Sequence, residues 1–411
     1  MQFGLIGKHL SHSYSVEIHN IIADYDYGLF ELSENELADF LKNRDFRGIN
    51  VTIPYKEAVI PYLDEISDNA KKIGAVNTII NKNGKLIGYN TDFHGMCALI
   101  KHSGLTLDGK KVLILGTGGT SKTAFAVSES LGARDIIFVS RTKKAGAVTF
   151  SEAYDFHKDA EIIINTTPCG MFPDTFGTPI MIDSFPRLQG IIDAVYNPLR
   201  TNLILDGKRK NISAEGGLYM LSAQAVYASA LFLDKEPNND LIDFAFNRVK
   251  REKENIVLIG MPSSGKTTVG KMLSDALCKE FFDSDFEIIK KTGISIPEFF
   301  KKYGEEKFRE AEKEVIASLS QKSGSVIATG GGAVLYPENV RALKRNGALI
   351  LLNRPLNLLT PTEDRPLSSE HSALAQLFEE RYPIYKAVAD FEILADKSPD
   401  DVLNTILKEL I

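Results

Sequence analysis

Cysteine is scarce: Cys97, Cys169 and Cys278 stand far apart in 411 residues. That excludes a disulfide framework and a cysteine-based zinc site, and leaves three incidental thiols suited to a reducing cytoplasm. Histidine is scarce too. His9 and His12 lie close together but no second cluster accompanies them, so no structural zinc site is expected. No stretch approaches the roughly 20 apolar residues of a membrane span. The opening run, MQFGLIGKHL, is too short in apolar residues for a signal peptide. Positive charge is not in excess: 48 Lys and Arg against 54 Asp and Glu give a net charge of −6, which argues against broad nucleic-acid binding. The expectation is a cytoplasmic protein, monomer or homodimer, with no nucleic-acid or membrane partner.

What is present is a globular composition, 44% hydrophobic and 25% charged, in a chain long enough for two or three domains. Strand-like and helix-like segments alternate throughout, the pattern of α/β layers with mainly parallel sheets. Strands are expected at 3–6, 29–32, 48–53, 75–81 and 85–89, with helices over 15–25, 34–43 and 55–72. A second set follows, with strands at 111–115, 135–139, 161–165 and 190–194 and helices to about Leu131 and over 220–233. The stretch 143–160 is short, so one crossover helix should be reduced or lost. Two polar runs, Lys235–Asn239 and Lys250–Asn255, flank an apolar helix and place a boundary near Lys253.

Downstream, the apolar run Asn255–Ile259 enters GMPSSGKTT, Gly260 to Thr268, and then a helix-like segment. A strand, a glycine-bounded turn carrying Lys and Thr, and a helix make a phosphate-binding loop. Its backbone N–H groups and the helix N-terminus face phosphate oxygens. The segment Gly260, Ser263, Ser264, Gly265, Lys266, Thr267 and Thr268 would hold a nucleoside triphosphate. Lys266 would reach the β and γ phosphates and Thr267 would help hold Mg²⁺. A plain strand–helix turn with no ligand is the alternative.

Earlier, GTGGT (Gly116 to Thr120) lies between a strand and a helix. Such a turn alone is weak evidence for a dinucleotide. The end of the next strand says more. It reads SRTKK, with Arg141, Lys143 and Lys144 and no acid to bond a ribose 2′-hydroxyl. Basic residues there favour the 2′-phosphate of NADP; a solvated basic turn is the other reading.

The first 235 or so residues resemble shikimate dehydrogenase, an NADP-dependent reductase of 3-dehydroshikimate. The matching stretches are GLIGKHLSHSYSVEIHN (4–20), NVTIPYK (50–56), GAVNTI (74–79), GYNTDFHG (88–95), NTTPCGM (165–171), DAVYNPLRT (193–201) and GGLYMLSAQA (216–225). A polyhydroxylated acid calls for short polar side chains. The resemblance gives Ser13, Ser15, Asn50, Thr52, Asn77, Tyr196 and Gln224 to the substrate. It makes Lys56 and Asp92 the catalytic pair, Lys56 as proton donor and Asp92 orienting it. Gly116, Gly118, Gly119, Arg141, Thr142 and Lys144 fall to NADP(H), with Gly217 and Met220 beside the nicotinamide. Tyr196 and Met220 could equally be packing residues. Val16 departs from the family's usual Pro, and Ser140 from its usual Asn.

From about 255 to 411 the chain resembles shikimate kinase, through FFDSD (281–285), EEKFREAE (305–312), ATGGGAV (328–334), DRPLSS (364–369) and ERYPIYKAVA (380–389). The resemblance implies ATP and Mg²⁺, with Asp283 on the metal and Asp285 near the reacting hydroxyl. It assigns Arg309 and Arg381 to the substrate carboxylate. Gly330, Gly331 and Gly332 would lie under the substrate ring, Arg365 would close over the phosphates, and Glu312 stands behind them. Ser263 replaces a customary glycine of the loop, and the lid, 354–370, is short.

The expected architecture is therefore α/β throughout. A substrate domain (1–100, with a helical return at about 217–250) adjoins a Rossmann-like NADP domain (101–253), and a P-loop kinase domain follows (254–411). The reading is a bifunctional enzyme that reduces 3-dehydroshikimate and then phosphorylates shikimate. Its rivals are a first domain acting on quinate with NAD, and a metabolite sensor without turnover.

Overall fold

The computed structural model describes residues 2–10, 13–360 and 371–410, the His371 side chain excepted. It divides into two compact units, Met1–Lys250 and Arg251–Ile411.

The first unit holds two sheets. Strands β1 (Phe3–Gly7), β2 (Tyr27–Glu31), β3 (Gly48–Val51), β4 (Glu65–Ile66), β5 (Thr78–Lys82) and β6 (Lys85–Tyr89) form a mixed sheet in the order β2-β1-β3-β5-β6-β4. Here β1 is parallel to β2 and β3, whereas β5 is antiparallel to β3 and β6. The second sheet comprises β7 (Lys111–Leu115), β8 (Asp135–Ser140), β9 (Ala147–Thr149), β10 (Ile162–Asn165), β11 (Gly190–Asp193) and β12 (Ser213–Glu215). It is parallel throughout, in the order β12-β11-β10-β7-β8-β9. Its central strands, KVLIL and IIIN, are buried at every position, as expected of strands covered on both faces. The order reverses direction at β7, so the crevice past its carboxyl end is where a doubly wound sheet takes its ligand. The glycine-rich turn lies there.

The second unit has one parallel sheet of β13 (Asn255–Ile259), β14 (Glu280–Asp283), β15 (Ser325–Ala328), β16 (Gly347–Asn353) and β17 (Phe391–Leu394), in the order β14-β15-β13-β16-β17. β13 is central, and its carboxyl end delivers the phosphate-binding loop.

One expected helix is absent. Residues 55–72 form turns, a 3-10 turn Ile60–Tyr62, β4, and only then a helix Asp68–Ile73. Pro61 removes a backbone donor from the middle of the run. Ser67 then starts a new helix, its hydroxyl accepting from the Ala70 amide at 3.4 Å. The helix-like spacing of Tyr55 and Val59 instead marks two core residues of an irregular loop. The crossover at 143–160 is reduced but kept: Thr149 and Glu152 cap a seven-residue helix, Phe150–Phe156. Among the described residues no helix is long and apolar enough to cross a membrane.

Two candidate active sites

In the first unit, Lys56 lies on the loop after β3 and Asp92 opens the helix Asp92–His102. Their ion pair spans 2.6 Å, with side chains only 13% and 8% exposed. The pair is sheltered enough for electrostatics to be strong, and open enough to meet a ligand. A Cβ placed on Gly119 would lie 3.6 Å from the Lys56 Cβ, so the start of the helix Gly119–Ser130 borders the pair.

A neutral polar network surrounds this pair. The Asn77 amide oxygen accepts from the Thr91 backbone N–H at 2.7 Å and the Thr78 hydroxyl at 3.1 Å, and its NH2 donates to the Thr91 hydroxyl at 3.0 Å. The Thr91 hydroxyl also reaches the Gln224 amide oxygen at 3.5 Å. Gln224 comes this close because Gly95 has no side chain: a Cβ there would lie 2.7 Å from the Met220 carbonyl. Ser13 donates to Ser15 at 3.0 Å, and Tyr196 reaches Ser13 while its ring lies 5.3 Å from that of Tyr14. Thr52 is half-buried at the exit of β3.

Asn50 is placed differently from the others. It is 4% exposed, its oxygen taking the Tyr27 hydroxyl at 2.7 Å and its NH2 donating to Thr78 at 3.0 Å. It meets the pocket through Thr78 and Asn77.

Arg141, Thr142 and Lys144 are exposed after β8. Lys144 bends to the turn, donating to the Thr117 hydroxyl at 3.0 Å, while the Ser140 hydroxyl donates to the Thr142 carbonyl. Gly116 has φ +112, a conformation side chains resist. Gly118 precedes the helix. Gly217 packs directly on the Ala194 carbonyl, and Met220 is buried.

The sequence reading does not single out Asp193. Asp193, at the end of β11, is fully buried and accepts from Asn165 Nδ2 (2.9 Å), the Val195 amide (3.0 Å) and the Thr201 hydroxyl (2.7 Å). Burial pushes its carboxyl up to about 6. It ties the loops that carry NTTPCGM and Tyr196. A carboxylate ending an otherwise apolar strand, GIID, was the available clue.

In the second unit, Gly260 (φ +141) and Gly265 (φ +95) bound the loop. Lys266 is buried and donates to the carbonyls of Gly260 at 2.9 Å and Met261 at 2.7 Å. Ser264 is buried beneath, and Thr268 is exposed. The Thr267 hydroxyl donates to Asp283 Oδ2 at 2.7 Å, while Asp283 Oδ1 accepts the Asp285 amide at 3.0 Å and caps the next helix. Among the described residues no three His, Cys, Asp or Glu side chains gather into a metal cage. Thr267 and Asp283 supply two hard oxygens, a set that suits Mg²⁺, which keeps several waters.

The glycines after β15 sit under charge. The Gly330 amide donates to the Ser284 hydroxyl at 2.8 Å. A Cβ on Gly330 would overlap the Asp285 carboxylate, and one on Gly332 would overlap the Arg309 guanidinium. Arg309, 8% exposed, donates to Glu312 at 2.9 Å and to Glu305 at 3.0 Å. Glu312 is 1% exposed, and its Oε1 has no hydrogen-bond partner among the described residues. Burial holds its carboxyl above the ordinary value, against the pull of Arg309. Arg381 is buried nearby and its charge reaches Glu312 and Tyr385. Tyr385 was not anticipated: buried in the helix His371–Val388, it donates its hydroxyl to the Gly331 carbonyl. Burial pushes that hydroxyl up to about 12. Arg365 lies outside the described residues, as do His12 and the whole of DRPLSS.

The chain matches the model of the shikimate dehydrogenase substrate-binding domain over residues 5–79 and that of shikimate kinase over 262–411. It is 36% identical over 265 residues to the NADP(+) shikimate dehydrogenase of Clostridium beijerinckii, covering 61% of this chain and 98% of that one. Its first unit is similar to the crystal structure of shikimate dehydrogenase 1 from Peptoclostridium difficile (34% identity, TM-score 0.56, 60% of this chain and 97% of that chain). It is also similar to the Thermus thermophilus enzyme in complex with NADP(H) and shikimate (29% identity, TM-score 0.55, 60% and 99%). By these matches the chain belongs to the shikimate dehydrogenase family and carries a shikimate kinase domain behind it, a bifunctional shikimate-pathway enzyme.

Proposed function

We propose that the first unit reduces 3-dehydroshikimate to shikimate with NADPH and that the second phosphorylates the 3-hydroxyl of shikimate from ATP. The observation that carries this reading is the sheltered 2.6 Å Lys56–Asp92 pair beside the glycine-rich turn, in a chain whose second unit sets the buried Arg309 against bare glycine backbone.

NADPH supplies the hydride. Lys56 donates a proton as charge develops on the ring oxygen, and Asp92 fixes the ammonium group in place. Ser13, Ser15, Thr52, Asn77, Tyr196 and Gln224 bind the carboxylate and hydroxyls, with Asn50 holding Thr78 and Asn77 in register. Arg141, Thr142 and Lys144 would hold the 2′-phosphate, the backbone at Gly116, Gly118 and Gly119 the pyrophosphate, and Gly217 and Met220 the nicotinamide end. In the second unit, ATP supplies the phosphoryl group and Mg²⁺ neutralises its charge. Lys266 and the amides of residues 260–268 cradle phosphate oxygens, and Thr267 and Asp283 hold the metal. Asp285 accepts the proton of the attacking hydroxyl. Arg309 and Arg381 grip the carboxylate above Gly330–Gly332; Arg365, which the resemblance gives to the phosphates, lies outside the described residues.

The test supplies purified protein with 3-dehydroshikimate, NADPH, ATP and Mg²⁺ and separates the products. Shikimate 3-phosphate should form in step with NADPH oxidation. NADPH oxidation without that product, while a control kinase forms it, removes the second half of the reading; no NADPH oxidation removes the first. Parallel arms with NAD and with quinate settle the choice of coenzyme and acid.

A further inference from the structure

Ser263 stands in the phosphate-binding loop with φ +63, in the left-handed region where a side chain is strained and glycine is the easy choice. Retaining a side chain there needs a reason, and the structure supplies one. The Ser263 hydroxyl donates to the Thr360 carbonyl at 2.7 Å, across 97 residues of sequence. Its acceptor, Thr360, is exposed but follows Leu359, which is 1% exposed in the core of the second unit. The 3-10 turn Leu356–Leu358 before it is pinned by Arg354, whose Nε donates to the Leu358 carbonyl at 3.0 Å. The phosphate-binding loop is thereby anchored on its outer side to the segment that leaves β16.

We propose that Ser263 is a positioning residue, a brace that pre-orders the phosphate-binding loop for nucleotide. The proposal rests on the kinase reading above. A loop held in its binding conformation has less ordering entropy to lose when phosphate arrives, so the brace acts on nucleotide affinity rather than on the transfer step. It also explains the departure from glycine: the backbone strain of Ser263 is offset by a bond that glycine cannot make.

Three variants of the full chain, Ser263→Ala, Ser263→Gly and Arg354→Met, test it. Ser263→Ala and Ser263→Gly both delete the brace, and only the second also relieves the strain. Arg354→Met loosens the anchor without touching the loop. All three should raise the KM for ATP about tenfold with kcat falling less than threefold. All three should also speed amide exchange over 354–360 at least threefold in the nucleotide-free protein. Unchanged exchange or unchanged KM in Ser263→Ala overturns the proposal. So does a KM effect in the Ser263 variants that is absent from Arg354→Met, since the hydroxyl would then act on nucleotide directly. So does a Ser263→Gly protein that behaves as wild type. If the unaltered protein binds no ATP by calorimetry, the kinase reading fails instead, and the exchange result still stands on its own.

Discussion

On the proposed reading the two sites recognise the same kind of molecule, a small polyhydroxylated acid, with different materials. In the first unit the pocket is built of neutral amides and hydroxyls bonded to one another, with one ion pair, Lys56–Asp92, among them. In the second, charged side chains are packed onto a backbone stripped to glycine, with Arg309, Arg381, Asp285 and Glu312 converging on Gly330–Gly332. The difference follows the chemistry. Hydride transfer creates charge at one oxygen, so one well-placed donor suffices. Phosphoryl transfer brings an anion to a polyanion, and only formal positive charge offsets that repulsion. A neutral network loses roughly 1–3 kcal/mol for each buried group left unpaired, whereas unpairing a buried charge costs more, about 3–5 kcal/mol.

The largest effect should come where the first site breaks its own pattern. Lys56→Met removes the cation of that ion pair while nearly keeping the side-chain volume. Loss of a general acid is worth about 10²- to 10⁴-fold in rate. Steady-state assays should show dehydrogenase kcat down by about that factor, with kinase kcat/KM within twofold. A kcat within threefold of wild type would mean that the proton comes from elsewhere.

Much of this contrast was legible in the sequence, and the reasons are local. A phosphate-binding loop is a contiguous turn whose spacing the backbone dictates, so Gly260 to Thr268 could be read directly. Strands buried on both faces, such as KVLIL, announce themselves by composition. What Asp193 and Tyr385 do was not legible, although a carboxylate closing the apolar strand GIID marked the first of them. Their roles arise from partners 28 and 54 residues away, Asn165 and Gly331, which only the parallel register of β10 with β11 and the packing of a late helix bring near. Residues 55–72 misled because Tyr55 and Val59 share a helical spacing while belonging to a loop that Pro61 interrupts. The Ser263 brace could not be read at all, because its partner is a carbonyl and carries no side-chain identity.

The second prediction tests whether Asp193, a buried carboxylate of the first unit, behaves like those of the second. Asp193 is surrounded by neutral donors, and its carboxyl is pushed up to about 6 by burial, against about 3.9 for an unfolded Asp. The native state therefore holds the proton more tightly than the unfolded chain does. This contribution to stability is fully present below about pH 4 and is lost as pH rises through about 6, amounting to at most roughly 3 kcal/mol. Asp193→Asn carries no such dependence. Scanning calorimetry of the transition that NADPH shifts should show wild type losing ground to the variant between pH 4 and pH 7. A gap that stays constant with pH would mean that Asp193 is held ionised by its three donors and titrates normally.

The smallest effect probes the bare backbone of the second site, and it comes as a graded pair. An alanine at Gly332 puts a methyl group into the Arg309 guanidinium, which is pinned by Glu312 and Glu305 and cannot swing aside freely. An alanine at Gly331 meets Pro262 Cδ at 3.1 Å, a tight contact that a small shift of the ring relieves. If Arg309 grips the substrate carboxylate, Gly332→Ala should raise the kinase KM for shikimate about 30-fold, or about 2 kcal/mol. Gly331→Ala should raise it about threefold, and both variants should keep the KM for ATP within twofold. Equal effects on the two substrates would point to general disorder of the unit. An unchanged KM for shikimate in Gly332→Ala would remove Arg309 from the binding site, and with it the reason for the glycine run: backbone is left bare here so that charge can come close.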